Sequence, residues 1–232
     1  MKKLLVSAMC SVMMLGLGTV AGAATVVSQA QGYVVSNGLT NGSGPGNNSF
    51  SGVDFGEIKS SWAGFDLSSY SAGVTSAELK VVYAPYIPQK NYDLKIYDVN
   101  TAQSVFASGN AGLSGYNDLQ SGKSYGTVNA TSYDIMLNAD AIADINAAAG
   151  KNFLMGFTNE TVLNSPDLIK MMNDSTTSFG AYINGWWGNP NDLPELILTY
   201  GSSPAPVPEP STFILFAGGL LAAALARKRL NA

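Results

Sequence analysis

The sequence predicts a mainly β protein, an antiparallel β-sandwich or jelly roll of about nine strands with one short helix. Three observations carry that expectation. Apolar and polar residues alternate with period two over Ala77–Tyr83 and again over Tyr92–Tyr97, the pattern of half-buried strands. Gly, Ser, Asn and Thr recur between such segments, while only 12% of the chain is charged. A single segment, Asn138 to Ala149, has helical spacing.

Taken in order, Lys2 and Lys3 precede an apolar stretch from Leu4 to Val20, and Ala21-Gly22-Ala23 fits a small-x-small cleavage site. Residues 1–23 therefore read as a secretory signal peptide, cut after Ala23. Met9 is too large for a lipobox before Cys10, and the apolar run ahead of it is too short for lipidation. Beyond Cys10 there is no cysteine, and the whole chain has no histidine. Disulfides, thiolate nucleophiles, imidazole bases, Cys/His zinc sites and Ser-His-Asp triads are thereby excluded.

Residues 24–203 suffice for one domain with a substantial core. They hold seven lysines and no arginine against fifteen acids, a net charge of −8. Such a surface is a poor partner for nucleic acid. Ala24–Val35 supplies one or two strands, 37–49 is a Gly/Asn/Ser loop, and Val53–Ile58 and Trp62–Phe65 read as strands. Pro85 and Pro88 end the strand beginning at Ala77, and its neighbour over Tyr92–Tyr97 is expected to pair with it as a hairpin. Residues 100–122 read as loop, then Ser124–Asn129 and Tyr133–Leu137 as strands. Asn138 suits the helix N-cap, Asp140 its positive end and Gly150 its termination. Phe153–Phe157, Ser178–Ile183 and Glu195–Tyr200 complete the strands.

After a Pro-rich linker at 204–210, the segment 211–232 holds a charge-free apolar run from Thr212 to Ala226, then Arg227-Lys228-Arg229. As a helix the run spans about 23 Å, short of the roughly 30 Å bilayer core. The basic triplet holds the C-terminus on the cytoplasmic side. An ordinary single-span anchor is the alternative, but such an anchor needs no Pro-Glu-Pro. With Val207-Pro208-Glu209-Pro210-Ser211 ahead of it, the segment resembles the PEP-CTERM sorting signal of Gram-negative bacteria. The resemblance implies export, transient membrane insertion, removal of the tail by an exosortase at the inner membrane, and a producer of extracellular polysaccharide.

A second resemblance lies within the domain. Trp62-Ala63-Gly64-Phe65-Asp66-Leu67-Ser68, followed by Val74-Thr75-Ser76-Ala77-Glu78-Leu79-Lys80, is similar to the opening of DNRLRE-type carbohydrate-binding jelly rolls. It implies a fold and no particular ligand, and Ser61 stands where that family has a basic residue.

The best ligand-binding candidate is Asn184-Gly185-Trp186-Trp187-Gly188-Asn189. An exposed indole of Trp186 or Trp187 would stack on a sugar ring, with the amides of Asn184 and Asn189 reaching its hydroxyls. The alternative, which general burial preferences favour, is that one indole belongs to the core and the other covers a sheet edge. Asp93, Asp98, Asn100 and Asp118 offer oxygens for calcium, but no D-x-D-x-D-G spacing is present, so no cofactor or metal is assigned. A carboxylate-pair glycosidase is the one enzyme class left open, and Glu57, Glu78, Glu160 and Glu195 form no evident pair. The expectation is a non-enzymatic exported protein of the cell surface or exopolysaccharide matrix, with a self-assembling matrix subunit as the alternative.

Overall fold

The computed structural model describes residues 22–41, 47–87, 90–185 and 191–201. Ala21, Trp186, Trp187, Asn189 and the sorting residues Val207, Pro208, Glu209, Pro210, Arg227, Lys228 and Arg229 lie outside the described residues. Residues Ala23–Gly201 form a compact unit with its own core.

Twelve strands lie in that unit: β1 (Ala23–Val35), β2 (Thr40–Asn41), β3 (Phe50–Asp54), β4 (Glu57–Asp66), β5 (Val74–Lys80), β6 (Ala84–Pro85), β7 (Leu94–Asp98), β8 (Ser124–Val128), β9 (Asp134–Met136), β10 (Asn152–Asn159), β11 (Ser178–Tyr182) and β12 (Glu195–Tyr200). Among the described residues five short helices join them: α1 (Gln103–Ala107), α2 (Gly112–Asp118), α3 (Ala139–Ala147), α4 (Glu160–Leu163) and α5 (Leu168–Asn173). The expected mainly β, antiparallel class is what the structure has.

Every ladder between these strands is antiparallel. The main path runs β9-β5-β12-β1-β4-β10-β7-β8, with β3-β11-β6 continuing from the start of β4. Strand β1 makes the sheet curl. Its first half, Ala23–Val27, pairs with β12 and its second, from Ser28 on, with β4, and a bulge between Ser28 and Ala30 lies at the start of the β4 ladder. Ser28 fixes that corner: its N–H bonds to the Pro194 carbonyl, and its hydroxyl reaches the carbonyls of Ala30 (3.1 Å) and Gly64 (3.2 Å).

Alternation sorts the side chains. On β12, Leu196 and Leu198 are buried between Glu195, Ile197 and Thr199. They join Phe65, Leu79, Leu94, Ile96, Met155 and Phe157 in the main core inside the curl. Strands β4 and β10 instead bury nearly every residue. Their outer face carries Trp62 and Leu154, and α1 and α2 cover it with Phe106, Tyr116 and Leu119. Trp62 and Phe106 stack at 5.2 Å, the main fastening of α1 to the sheet.

Helix α3 closes one end. Asn138 caps it through Oδ1 to the Ala141 N–H, Asp140 sits in its first turn, and Ala141 and Ile145 enter the core. Gly150 follows the helix with φ +79 and bonds through its N–H to the Leu67 carbonyl.

Four expectations are corrected. Val53–Ile58 is no single strand: Phe55 (φ 48) and Gly56 (φ 88) reverse the chain between β3 and β4, and Asp54 pairs with Glu57. An apolar residue at a turn position hid that reversal. Strands β5 and β7 do not form a hairpin, because β5 lies between β12 and β9 while β7 lies between β10 and β8. Residues 100–122 hold α1 and α2, helices too short to show a period. The short strands β2 and β6 were not expected, and they bring the strands among the described residues to twelve, while the break at Phe55–Gly56 only shifts a boundary, since Glu57–Ile58 runs on into Trp62–Phe65 as β4.

Candidate functional site

The end of the sheet beside α3 holds a cleft of about 580 Å³. Its walls are the β7–α1 segment from Asp98 to Ser104, the start of β8 with Lys123 and Tyr125, and α3 with Asp144. Asn152, Phe153 and Leu154 at the start of β10 complete it, the last two almost fully buried.

Local hydrogen bonds fix the wall. Asp118, the last residue of α2, accepts the backbone N–H groups of Asn100 (2.9 Å) and Thr101 (2.7 Å) through Oδ2. Asp98 accepts the Lys123 N–H through Oδ1 at 2.6 Å and the Asn100 amide through Oδ2 at 3.3 Å. Asp98, Asn100 and Asp118 thus meet, but as fasteners of a loop. Asp93 is elsewhere, accepting the Asn129 amide at 2.9 Å. Among the described residues, no three His, Cys, Asp or Glu side chains are grouped to hold a metal ion.

The charged groups of the cleft engage one another. Lys123 Nζ stands 2.7 and 2.9 Å from the two Asp144 oxygens, and the Tyr125 hydroxyl donates to Asp144 Oδ2 at 2.8 Å. The Asp144 carboxylate raises the Lys123 ammonium above its ordinary value. Burial first, and then that same carboxylate, raise the Tyr125 phenol.

Four lining side chains have no such engagement. The side chains of Thr101, Gln103, Ser104 and Asn152 make no hydrogen bond within the described residues. They offer two hydroxyls and two amides on the walls of one opening. Sequence reasoning missed all four, since they span Thr101 to Asn152 without any regular spacing.

The candidates drawn from sequence fare differently. Asn184 is fully buried, and its Nδ2 donates to the Asn47 carbonyl at 2.6 Å, so its amide does not reach a surface ligand. A parallel bridge to Val82 holds Asn184 at the sheet, and Gly185 (φ 69) then turns the chain with its N–H on the Val82 carbonyl. Ala23, at the expected signal cleavage site, is the first residue of β1 and pairs with Thr199. Glu57 lies 3.8 Å from Lys59, Glu160 accepts from Lys95 (3.2 Å) and the Tyr97 hydroxyl (2.9 Å), and Glu195 stands in register with Lys80.

Among known families, the model of the PEP-CTERM protein-sorting motif matches residues 206–229. The tail is a PEP-CTERM signal. The protein is therefore an exosortase-targeted exported protein, directed to the cell surface or beyond it, as is typical of Gram-negative bacteria. The PEP-CTERM match spans the Pro-Glu-Pro and the basic residues through Arg229, and none of the β unit. No curated protein matches the chain.

Proposed function

We propose that the β unit is a non-enzymatic binding domain that holds extracellular polysaccharide at the surface or in the matrix of the exporting cell. Export begins at the Sec machinery with the signal peptide at residues 1–23, and the PEP-CTERM tail hands the chain to an exosortase at the inner membrane. The observation that supports the binding reading is the cleft itself, with the unengaged hydroxyls and amides of Thr101, Gln103, Ser104 and Asn152 on its walls. Sugars carry dense arrays of hydroxyls, each a donor and an acceptor, and such side chains match them. The Glu side chains lie against lysines or on strands, an arrangement that supports binding over hydrolysis.

The test is retention of residues 24–203 on the host's own extracellular polysaccharide, beside Asn152→Ala, Gln103→Ala, Trp186→Ala and Trp187→Ala. Loss in the first two places the site at the cleft, and loss in the Trp variants places it on the Asn184–Asn189 segment. No retention of the unaltered protein, or cleavage of the glycan abolished by one carboxylate substitution, overturns the proposal.

A second reading, a self-assembling matrix subunit, is favoured by one observation. Ala23–Val27 pairs with β12 on one edge and not with β4 on the other, carries no charge or proline, and leaves Val27 42% exposed. Concentration-dependent sedimentation without glycan, abolished by Val27→Lys, would support it.

A further inference from the structure

We infer that the cleft takes an uncharged polyhydroxyl chain, a neutral hexose polymer in preference to a uronate or an amino-sugar polymer. The inference rests on the polysaccharide reading above and adds the class of glycan. It comes from a division of labour among the lining residues.

The charged side chains in the cleft are Asp98, Lys123 and Asp144, and each already has a partner. A uronate would need a cation to meet it. Lys123 is the one cation there, and both Asp144 oxygens hold its ammonium. Drawing Lys123 away would part this exposed pair, a modest loss, and leave the Asp144 carboxylate with only the Tyr125 hydroxyl. The net charge of −8 over residues 24–203 opposes a polyanion at longer range as well.

An amino-sugar polymer would need an available carboxylate. Asp98 has an oxygen on the Lys123 N–H and the other on the Asn100 amide, and Asp144 is engaged by Lys123 and Tyr125. A polycation would still be drawn to the acidic domain as a whole, but that attraction is diffuse and screened by salt.

What the cleft offers freely is neutral. Each hydroxyl of Thr101 and Ser104 has one donor and two acceptor sites, and each amide of Gln103 and Asn152 has two donors and a carbonyl. That mixture suits sugar hydroxyls. Phe153 and Leu154 are each 6% exposed, so the floor adds little apolar contact. The grip is a set of hydrogen bonds, each modest, multiplied along a repeating polymer.

The test divides the host's extracellular polysaccharide by ion exchange into neutral, anionic and cationic pools, each cast into affinity gels. The protein is used as the host releases it. The expected result is retardation by the neutral pool, unchanged between about 50 and about 500 mM NaCl because no ion pair is formed. Gln103→Ala combined with Asn152→Ala should weaken that retardation about ten-fold. Both residues are solvent-accessible, so a circular dichroism spectrum like that of the unaltered protein is expected. Preferential retardation by a charged pool, or retardation that salt abolishes, overturns the neutral class while leaving polysaccharide binding intact. Retardation by no pool overturns the polysaccharide reading itself.

Discussion

The Gln103 side chain lies across Gly64: a Cβ built on that glycine would stand 2.7 Å from Gln103 Oε1. The nearest obstruction to a methyl group is therefore the end of a flexible side chain. Gly64→Ala should fold normally, with stability unchanged or raised by up to about 1 kcal/mol from the lower entropy of the unfolded chain. It should also displace the Gln103 amide and reduce polysaccharide retention several-fold. Gly64→Ala retained like the unaltered protein, while Gln103→Ala is not, would show that the position of the amide is immaterial.

Tyr125 joins the cleft to the core. Its ring is 1% exposed, and its hydroxyl donates to Asp144 at 2.8 Å. Tyr125→Phe keeps the ring and removes a hydrogen bond to a carboxylate, at a cost of roughly 1–2 kcal/mol. Because Lys123 still holds Asp144, the wall should stay in place. Thermal unfolding should move down by a few degrees while glycan retention changes little. A variant as stable as the unaltered protein would show that the bond adds nothing over hydration.

A second, more buried ion pair lies in the β3–β4 hairpin. Lys59 Nζ stands 2.5 Å from Asp54 Oδ2, with side chains 8% and 13% exposed. Ser178 also donates to Asp54, and the Tyr33 ring lies 4.5 Å from the ammonium. Lys59→Met should destabilise by about 3–5 kcal/mol, because it leaves a buried carboxylate without its cation. Adding Asp54→Leu should recover part of that loss, a coupling that a double-mutant cycle in urea reads directly. Strictly additive effects would mean that the two charges do not support one another.

These relationships differ in how plainly the sequence announces them. Glu195–Tyr200 alternates cleanly between the core and the outer face, and the Asn138 cap and Gly150 bracket α3, so local pattern sufficed there. Partner choice did not follow from local pattern. Strand β5 pairs with β12, over a hundred residues later, because β1 turns the corner at Ser28 and brings β12 alongside. The burial of both faces of β4 and β10 depends on α1 and α2, whose seats are Trp62 and Leu154 rather than anything in residues 100–122. The cleft was illegible for a related reason. Thr, Gln, Ser and Asn in irregular segments resemble ordinary turn residues, and what singles out these four is that no hydrogen bond reaches their side chains among the described residues. Of the Asn184–Asn189 candidates, Asn184 is buried where it bridges to Val82, just before Gly185 turns the chain.

Alkaline pH should expose another property of the core. Burial raises Tyr83 and Tyr182 from the ordinary value of 10.0 to about 12, and it raises Tyr125 further. A phenol held neutral in the folded state contributes stability that is complete below pH 10. That contribution falls as the pH climbs from 10 toward 12, where the unfolded chain ionises and the folded one does not. The melting temperature should therefore fall across this window, and the 295 nm absorbance of the folded protein should show an incomplete tyrosine titration until unfolding. Full titration near pH 10 without loss of structure would contradict the burial of these hydroxyls.

The sorting signal makes a prediction in vivo that is independent of the cleft. The motif matched over residues 206–229 joins a Pro-Glu-Pro sequence, a charge-free apolar run and a basic triplet, and an exosortase must read some of these. Replacing Pro208, Glu209 and Pro210 by alanine leaves both the run and Arg227-Lys228-Arg229 unchanged, so the segment can still enter the membrane. If cleavage depends on the Pro-Glu-Pro, the variant should accumulate in the membrane fraction at full precursor mass less the signal peptide. The unaltered protein should appear at the surface or in the medium, shortened by its tail. Replacing Arg227, Lys228 and Arg229 by serine should act differently, letting the C-terminus slip across the membrane and releasing uncleaved protein. Mass spectrometry of the C-terminal peptide in each fraction separates these outcomes. Normal processing of the Pro-Glu-Pro variant would move recognition to the apolar run or to the basic triplet.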